Sequence, residues 1–428
     1  MRRWMLCGLA GLLLINMVSC GSNSEGENNA SGSSGSQKVR VMCWSSEEEL
    51  ALHKQATDEF TKQKGIEVEW LAVPSGDYAN KTRAMFLSND VYDSINTGIA
   101  DYYLPYIDAG FYSPLNPYIE KDPEMDINNY PENLIKAYTH TDGNIYALPK
   151  DYVPHGLFYN RTLFDEAGIP YPDENTTWDD FYDMAAKLTK DDQWGCLIDT
   201  WNESIEVYWM MGGGGPGLVN NFEQDKVTLD DPANIPGLEF TKKLIDNGYT
   251  PSPAQLENTE GNLFAAGKIA MMPGGSLNIP TFLATEGLDY SIAPLPQSAN
   301  GTRKGCLWTS GYAMAEAGKN KENTWEFIKW MTYGEGSAML ANTGFSFPST
   351  APKQHAECFL FEENIAHGGQ VLSDWGSVYG VTPQRGINEV ELNAKFTEML
   401  DRYYLNDEDL DSLIAEYQVA LEEIFNRK

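Results

Sequence analysis

From Val39 onward, short apolar runs alternate with longer amphipathic stretches. Val39 to Trp44 has strand length, and Glu47 to Lys64 repeats apolar residues at helical spacing. Ile66 to Ala72 reads as a second strand, Tyr78 to Ser88 as a helix and Tyr92 to Asn96 as a third strand. The pattern restarts with a strand over Leu157 to Tyr159, a helix over Trp178 to Lys190 and a strand over Gly195 to Ile198. A helix over Ile235 to Asn247 and strands over Ile269 to Met272 and Tyr290 to Ala293 follow. Such alternation predicts an α/β architecture of right-handed crossover units on largely parallel sheets, with ligands outside the carboxyl ends of the strands. Its restart implies two sheets.

Local chemistry sharpens some boundaries. Thr177-Trp178-Asp179-Asp180 is a capping-box-like start: the threonine accepts from an exposed N–H, and the aspartates suit the positive helix end. Trp178, Phe181, Ala185 and Leu188 recur on one helical face, the spacing that packing demands. Trp325, Ile328 and Met331 repeat that spacing, and Trp330 in the same pattern reads as packing. Leu410 to Phe425 is an amphipathic C-terminal helix expected to dock on the second half of the chain.

The N-terminus has a different pattern. Arg2 and Arg3 precede an apolar run from Leu6 to Val18, too short to span a membrane, and a polar stretch extends from Cys20 to Gln37. This predicts a signal peptide over 1–19 and a flexible tether over 20–37. What remains is long enough for two ordinary domains. The formal charge of -32 disfavours nucleic acid and anionic lipid as partners. Cys43, Cys196, Cys306 and Cys358 are widely spaced, without C-x-x-C; the first three sit in apolar runs and read as buried thiols, not as a metal site.

Motifs for catalysis are lacking. Gly212, Gly214 and Gly217 satisfy G-x-G-x-x-G, yet they follow the helix-like Tyr208 to Met211 and include Pro216, so the strand-turn-helix context of a dinucleotide site is missing. No H-E-x-x-H, Walker A loop or G-x-S-x-G elbow occurs. Neither catalytic residues nor a metal or cofactor is expected.

Several segments together resemble a known family. These are Gly143-Asn144-Ile145-Tyr146-Ala147-Leu148-Pro149, Leu157 to Phe164, Ala167-Gly168-Ile169-Pro170, Thr177 to Phe181, Phe264 to Met272 and Lys319 to Met331. In this order they resemble the family 1 extracellular solute-binding proteins of bacterial ABC importers, whose members bind maltodextrins and other oligosaccharides. The resemblance implies a type II periplasmic-binding-protein-like fold, with a ligand cleft between two lobes and three hinge crossings near Val153, Gly305 and Phe345. Lobe 1 would hold 38–152 plus 306–345, and lobe 2 would hold 153–305 plus 346–428. It also implies a monomer that delivers a carbohydrate to permease subunits. Met17-Val18-Ser19-Cys20 resembles a lipobox, implying lipidation at Cys20 and a membrane-held protein facing the cell exterior or periplasm.

A sugar site needs aromatic faces with carboxylates and amides at loop positions. Trp44, Ser46 and Glu47, at the first strand end, lie where family members touch ligand, although a strand-end tryptophan also serves as core. Asp101 resembles a family ligand carboxylate, with a helix-terminus charge as the alternative. Asp151 and His155 flank the first crossing. Trp201 follows the strand through Ile198 and reads as a stacking platform. Gly275 and Ser276 follow the strand through Met272; Leu277 stands where the family often has a stacking Trp. Trp308 lies at the second crossing, and Trp375, Tyr379 and Arg385 occupy the stretch after Phe345. The rival readings are a surface-attached carbohydrate hydrolase, and the same fold binding a polyamine, metal chelate or phosphate ester.

Overall fold

The structure, a computed structural model, describes residues 38–45, 47–88, 90–98, 103–198, 202–220, 226–252, 255–256, 262–341, 347–350, 365–382 and 388–427. The first set of elements forms as the pattern predicts: β1 (Lys38–Trp44), α1 (Glu47–Lys64), β2 (Glu67–Val73), α2 (Ser75–Ser88) and β3 (Ser94–Gly98). β2 and β3 both pair with β1 in parallel. Both faces of β1 are covered, which explains the apolar run Val41 to Trp44 within it. Val39 and Val41 join one cluster with Phe60, Phe327 and Trp330, whereas Met42 joins another with Tyr78 and Ile95.

The central strand was largely hidden from the sequence pattern. β4 covers Ala147–Asn160, 14 residues, where only its last part reads as strand from composition. Pro149 and Pro154 demote the run, because proline cannot donate to a ladder. Each proline sits where the ladder tolerates it. Pro149 flanks the register shift before Asp151, and Pro154, opposite Leu307, is the last residue paired with β8 (Gly305–Met314). Beyond it, β4 changes partners: His155 to Tyr159 pair with β6 (Ile269–Gly275), and Leu157 to Asn160 pair with β7 (Tyr290–Ala293).

β8 has the same dual character, pairing with β3 through Ser310 to Met314 and with β4 through Leu307 to Ala313. The expectation of two separate, largely parallel sheets is therefore corrected. One hydrogen-bonded path runs β2-β1-β3-β8-β4-β6-β5, with β5 covering Trp194–Cys196, and it is mixed because β4 and β8 run antiparallel to their neighbours. Two short strands, β9 (Phe347–Pro348) on β4 and β10 (Gly380–Val381) on β8, return to this centre.

Helices pack as their spacing dictates. In α3 (Trp178–Leu188) the Thr177 side chain accepts from the Asp180 N–H and the Asp180 carboxylate accepts from the Thr177 N–H, and Trp178, Phe181, Ala185 and Leu188 are buried. α4 (Ile235–Asp246) lies in the same cluster, with Trp178 stacked on Phe240 at 4.9 Å. α5 (Lys321–Thr332) buries Trp325, Ile328 and Met331; Trp330 is buried too and donates to the Ala56 carbonyl at 3.0 Å. The C-terminal α7 (Leu410–Phe425) packs beside α6 (Glu389–Asn406) in the cluster that holds α3 and α4.

The glycine run does not open a helix. Ile205–Met211 forms a π-helix, and Glu206 within it is buried and accepts from the Leu218 N–H at 2.7 Å. Gly217 has a positive φ of 87°, and a Cβ there would lie 2.6 Å from the Glu206 carboxylate. Gly217 thus lets a loop wrap a buried carboxylate. Cys43, Cys196 and Cys306 are buried thiols, as their apolar surroundings predict; Cys358 and Cys20 lie outside the described residues.

α3 approaches β5 closely enough that a Cβ at Gly195 would lie 2.0 Å from the Ala185 carbonyl oxygen. Gly195→Ala is expected to destabilise the fold by about 2–3 kcal/mol through overpacking. Urea denaturation measures this, and a change below about 0.5 kcal/mol, the size of an ordinary surface substitution, would contradict the packing described.

Candidate ligand-binding site

The ends of β5 and β6 point the same way, since the two strands are parallel. Beyond their carboxyl ends, with β4 and β8 beside them, lies a pocket of about 300 Å³. Its walls include His155 from β4, Gly275 from β6, Leu277 and Asn278 just after it, Tyr208 from the π-helix and Trp308 from β8. Three sequence-predicted residues, His155, Gly275 and Trp308, thus meet around one cavity. None of the described lining residues is an Asp, Glu, Lys or Arg.

His155 is 2 % exposed. Its Nδ1 is hydrogen-bonded to the Tyr208 hydroxyl, and its ring meets Trp308 edge-on, centroids 4.5 Å apart. Trp308 is oriented in turn by donating its Nε1–H to Glu203 Oε1 at 3.0 Å. His155 Nε2 has no hydrogen-bond partner. Gly275 makes room for the ring, because a Cβ there would lie 2.5 Å from Nε2. Ser276 is fully buried, and its Oγ also lacks a partner. Tyr379 is buried behind this wall, donating its hydroxyl to the His155 carbonyl at 3.0 Å and stacking with half-buried Trp375 at 6.4 Å. It supports the pocket from behind.

A second group lies on β4 before the partner change. Asp151 accepts from Ser310 Oγ at 2.9 Å and from the Ser310 N–H at 3.2 Å, tying β4 to β8 by a side chain beside the bulge. Lys150, 5 % exposed, lies 2.8 Å from Asp151 and 3.9 Å from Glu49. Burial pulls the Lys150 pKa down, but these carboxylates outweigh it and hold the amine above its ordinary value. Trp44, at the end of β1, rests edge-on against Tyr78 at 5.0 Å, and exposed Glu47 opens α1.

Ser46, Asp101, Trp201 and Arg385 lie outside the described residues. Sequence reasoning missed Lys150, Tyr208 and Glu203. A lysine beside Asp151 in a mostly apolar run was a signal for the first. Tyr208 carried none, because its apolar neighbours Trp209 and Met210 read as a packed helix.

An α/β fold with a neutral pocket beyond its strand ends defines a class, the proteins that bind a small molecule at such a place. Residues 44–333 match the family of bacterial extracellular solute-binding proteins, and the chain belongs to that family. The fold is that of the two-lobed periplasmic binding proteins. It is similar to a Listeria monocytogenes ABC substrate-binding protein in complex with cycloalternan, with a TM-score of 0.79 and 20% identity, covering 91% of this chain and 99% of that one. The galactooligosaccharide-binding protein of Bacillus subtilis is 23% identical over 352 residues, 78% of this chain and 76% of that protein. A Brucella abortus protein is 24% identical over 284 residues; the match covers 63% of this chain and 66% of that protein's length. Among the described residues no helix is long and apolar enough to cross a membrane.

Buried histidines make stability depend on pH. Burial pushes the pKa of His155 down to about 3; burial, then nearby Lys150, does the same for His53. Unfolded histidine takes up its proton near 6.5. Between pH 6.5 and 3 the unfolded chain binds protons that the folded chain refuses, so stability falls on acidification by about 1.4 kcal/mol per pH unit for each histidine. His53→Phe, which keeps the stacking on Trp70, should show a shallower decline between pH 6 and 4.5 in urea denaturation; a slope equal to wild type would contradict this.

Proposed function

We propose that the protein captures a neutral carbohydrate, an oligosaccharide, between its lobes and delivers it unaltered to the permease subunits of an ABC importer. One observation carries this reading: the pocket combines aromatic rings and amides with no charged side chain among its described lining residues. A phosphate ester or a polyamine needs countercharge when it leaves water, whereas a sugar needs hydrogen bonds and apolar faces. Buried Lys150 offers a phosphate little, being already engaged by Asp151 and Glu49. Capture without chemistry fits the same walls, since glycoside hydrolysis requires two carboxylates about the bond to be cleaved. The relatives point the same way: one is a galactooligosaccharide-binding protein, and another is seen in complex with cycloalternan.

The lobes in this reading are 38–152 with 306–345 and 153–305 with 346–428. Support comes from β4, which changes partners between Pro154 and His155, and from β8 and β9, which pair with it next to that point. Ligand contacting both lobes favours a closed form because only that form makes both sets of contacts; hinge closure in periplasmic binding proteins is a documented example of such a transition. The remaining cleft contacts in this reading are Trp44, Ser46, Glu47, Asp101, Asp151, Trp201, Ser276, Trp375 and Arg385. Lipid on Cys20 holds this monomer at the membrane, where more than one acyl chain is needed for stable anchoring.

Calorimetric titration with maltose to maltotetraose, galactobiose and arabinobiose, against spermidine and glycerol 3-phosphate, tests the reading. At least one sugar should bind with micromolar affinity, about -8 kcal/mol, and be recovered intact. Heat with the charged compounds alone, or cleaved sugar, would overturn it.

A further inference from the structure

We propose that the hydrogen bond from the Asn133 side chain to the Gly380 carbonyl, on the back of the β4–β8 ribbon, is a latch that opposes lobe closure and thereby lowers the affinity for ligand. This rests on capture by closure of the two lobes proposed above, and not on the chemistry of the ligand.

Alternation along the strands gives the ribbon two distinct faces. One belongs to the pocket: a Cβ at Gly275 would meet Val153 and His155, and Trp308 lines the same cavity. The opposite face carries Pro154, Gly156 and Leu307. A Cβ at Gly376 would lie 2.1 Å from Pro154 Cβ, Gly156 faces Leu372, and Gly380 faces Leu307. The helix Gly369–Tyr379 and β10 therefore lie behind the ribbon. They also hold both strands by hydrogen bonds, with the Tyr379 hydroxyl donating to the His155 carbonyl and the Thr382 hydroxyl to the Leu307 carbonyl.

The first lobe reaches this back face through the helix Glu132–Ala137. Leu134 is fully buried in one cluster with Tyr152, Leu307, Phe347 and Leu372. Beside it Asn133 Nδ2 donates to the Gly380 carbonyl at 3.1 Å, while its Oδ1 accepts from the Leu134 N–H at 3.1 Å, which orients the amide. Residues 132–137 belong to the first lobe and 369–381 to the second, so this is a bond between lobes made off the crossing strands. Its position gives the sign of its effect. Bending the ribbon toward its pocket face brings the lobes together there and draws them apart behind. Closure thus breaks the Asn133 bond and uncovers part of Leu134, and both changes oppose it. Ligand has to supply that difference, so the measured affinity is the closed form's own, reduced by the small fraction of molecules that are closed without ligand.

The test compares wild type with Asn133→Ala and Asn133→Asp, a half-buried position outside the pocket. The aspartate keeps an acceptor for the Leu134 N–H but cannot donate, and it sets a negative charge against the Gly380 carbonyl. Circular dichroism and thermal melts establish that both variants are folded. Calorimetric titration with each compound of the sugar and control panel that binds wild type should show about fivefold tighter binding in Asn133→Ala. Asn133→Asp should gain at least as much. The factor should be the same for every compound, since the latch acts on the protein's own equilibrium and not on the guest; damage to the fold would weaken binding instead. Equal or weaker binding in the folded variants, or a gain for one compound and none for another, would overturn the latch and leave the carbohydrate reading standing. Tighter binding of charged compounds alone would support the latch and overturn the carbohydrate reading. A wild type that binds no compound of the panel would overturn both.

Discussion

The antiparallel pairing of β4 with β8 is the contact on which the rest of the molecule depends. In the strand path of the described residues this pairing joins the parallel group around β1 to the group around β6, and Asp151 reinforces it by accepting two hydrogen bonds from Ser310. At the same place the ladder is deliberately imperfect. A bulge follows Pro149, and Pro154 withholds a donor where β4 changes partners. In the proposed division into lobes, this interruption of the ladder lies where one lobe joins the other.

Charge is distributed to suit the proposed ligand. The chain carries a formal charge of -32, but the described walls of the pocket carry none, and His155 within it is held neutral by burial. Acidity on the outside keeps an exported protein soluble. Inside, an unpaired charge would be expensive and would select ions, whereas neutral donors, acceptors and rings select hydroxyl-rich molecules. Where a cation is buried, at Lys150, two carboxylates accompany it.

How much was legible in the sequence follows how far each feature depends on distant residues. The α3 cap at Thr177 and Asp180 and its buried face were readable because both are local, as were β1 to β3 with their intervening helices. β4 was not, since Pro149 and Pro154 break the strand pattern and only the partner change explains them. At the site, His155, Gly275 and Trp308 stood out as strand-end positions, but their convergence depends on the β4–β6 and β4–β8 registers, which composition does not encode. Tyr208 stayed invisible because a π-helix presents different faces from the α-helix its neighbours suggested.

In the proposed mode of capture, the two strand groups close together around a neutral guest. Spin labels at Lys81→Cys on α2 and Glu239→Cys on α4, both exposed, report that movement by pulsed electron resonance; Cys43, Cys196 and Cys306 are buried from the label. Saturation with the oligosaccharide that binds should shift the distance distribution to a shorter, narrower peak. A distribution unchanged at saturation would contradict closure as the mechanism of capture.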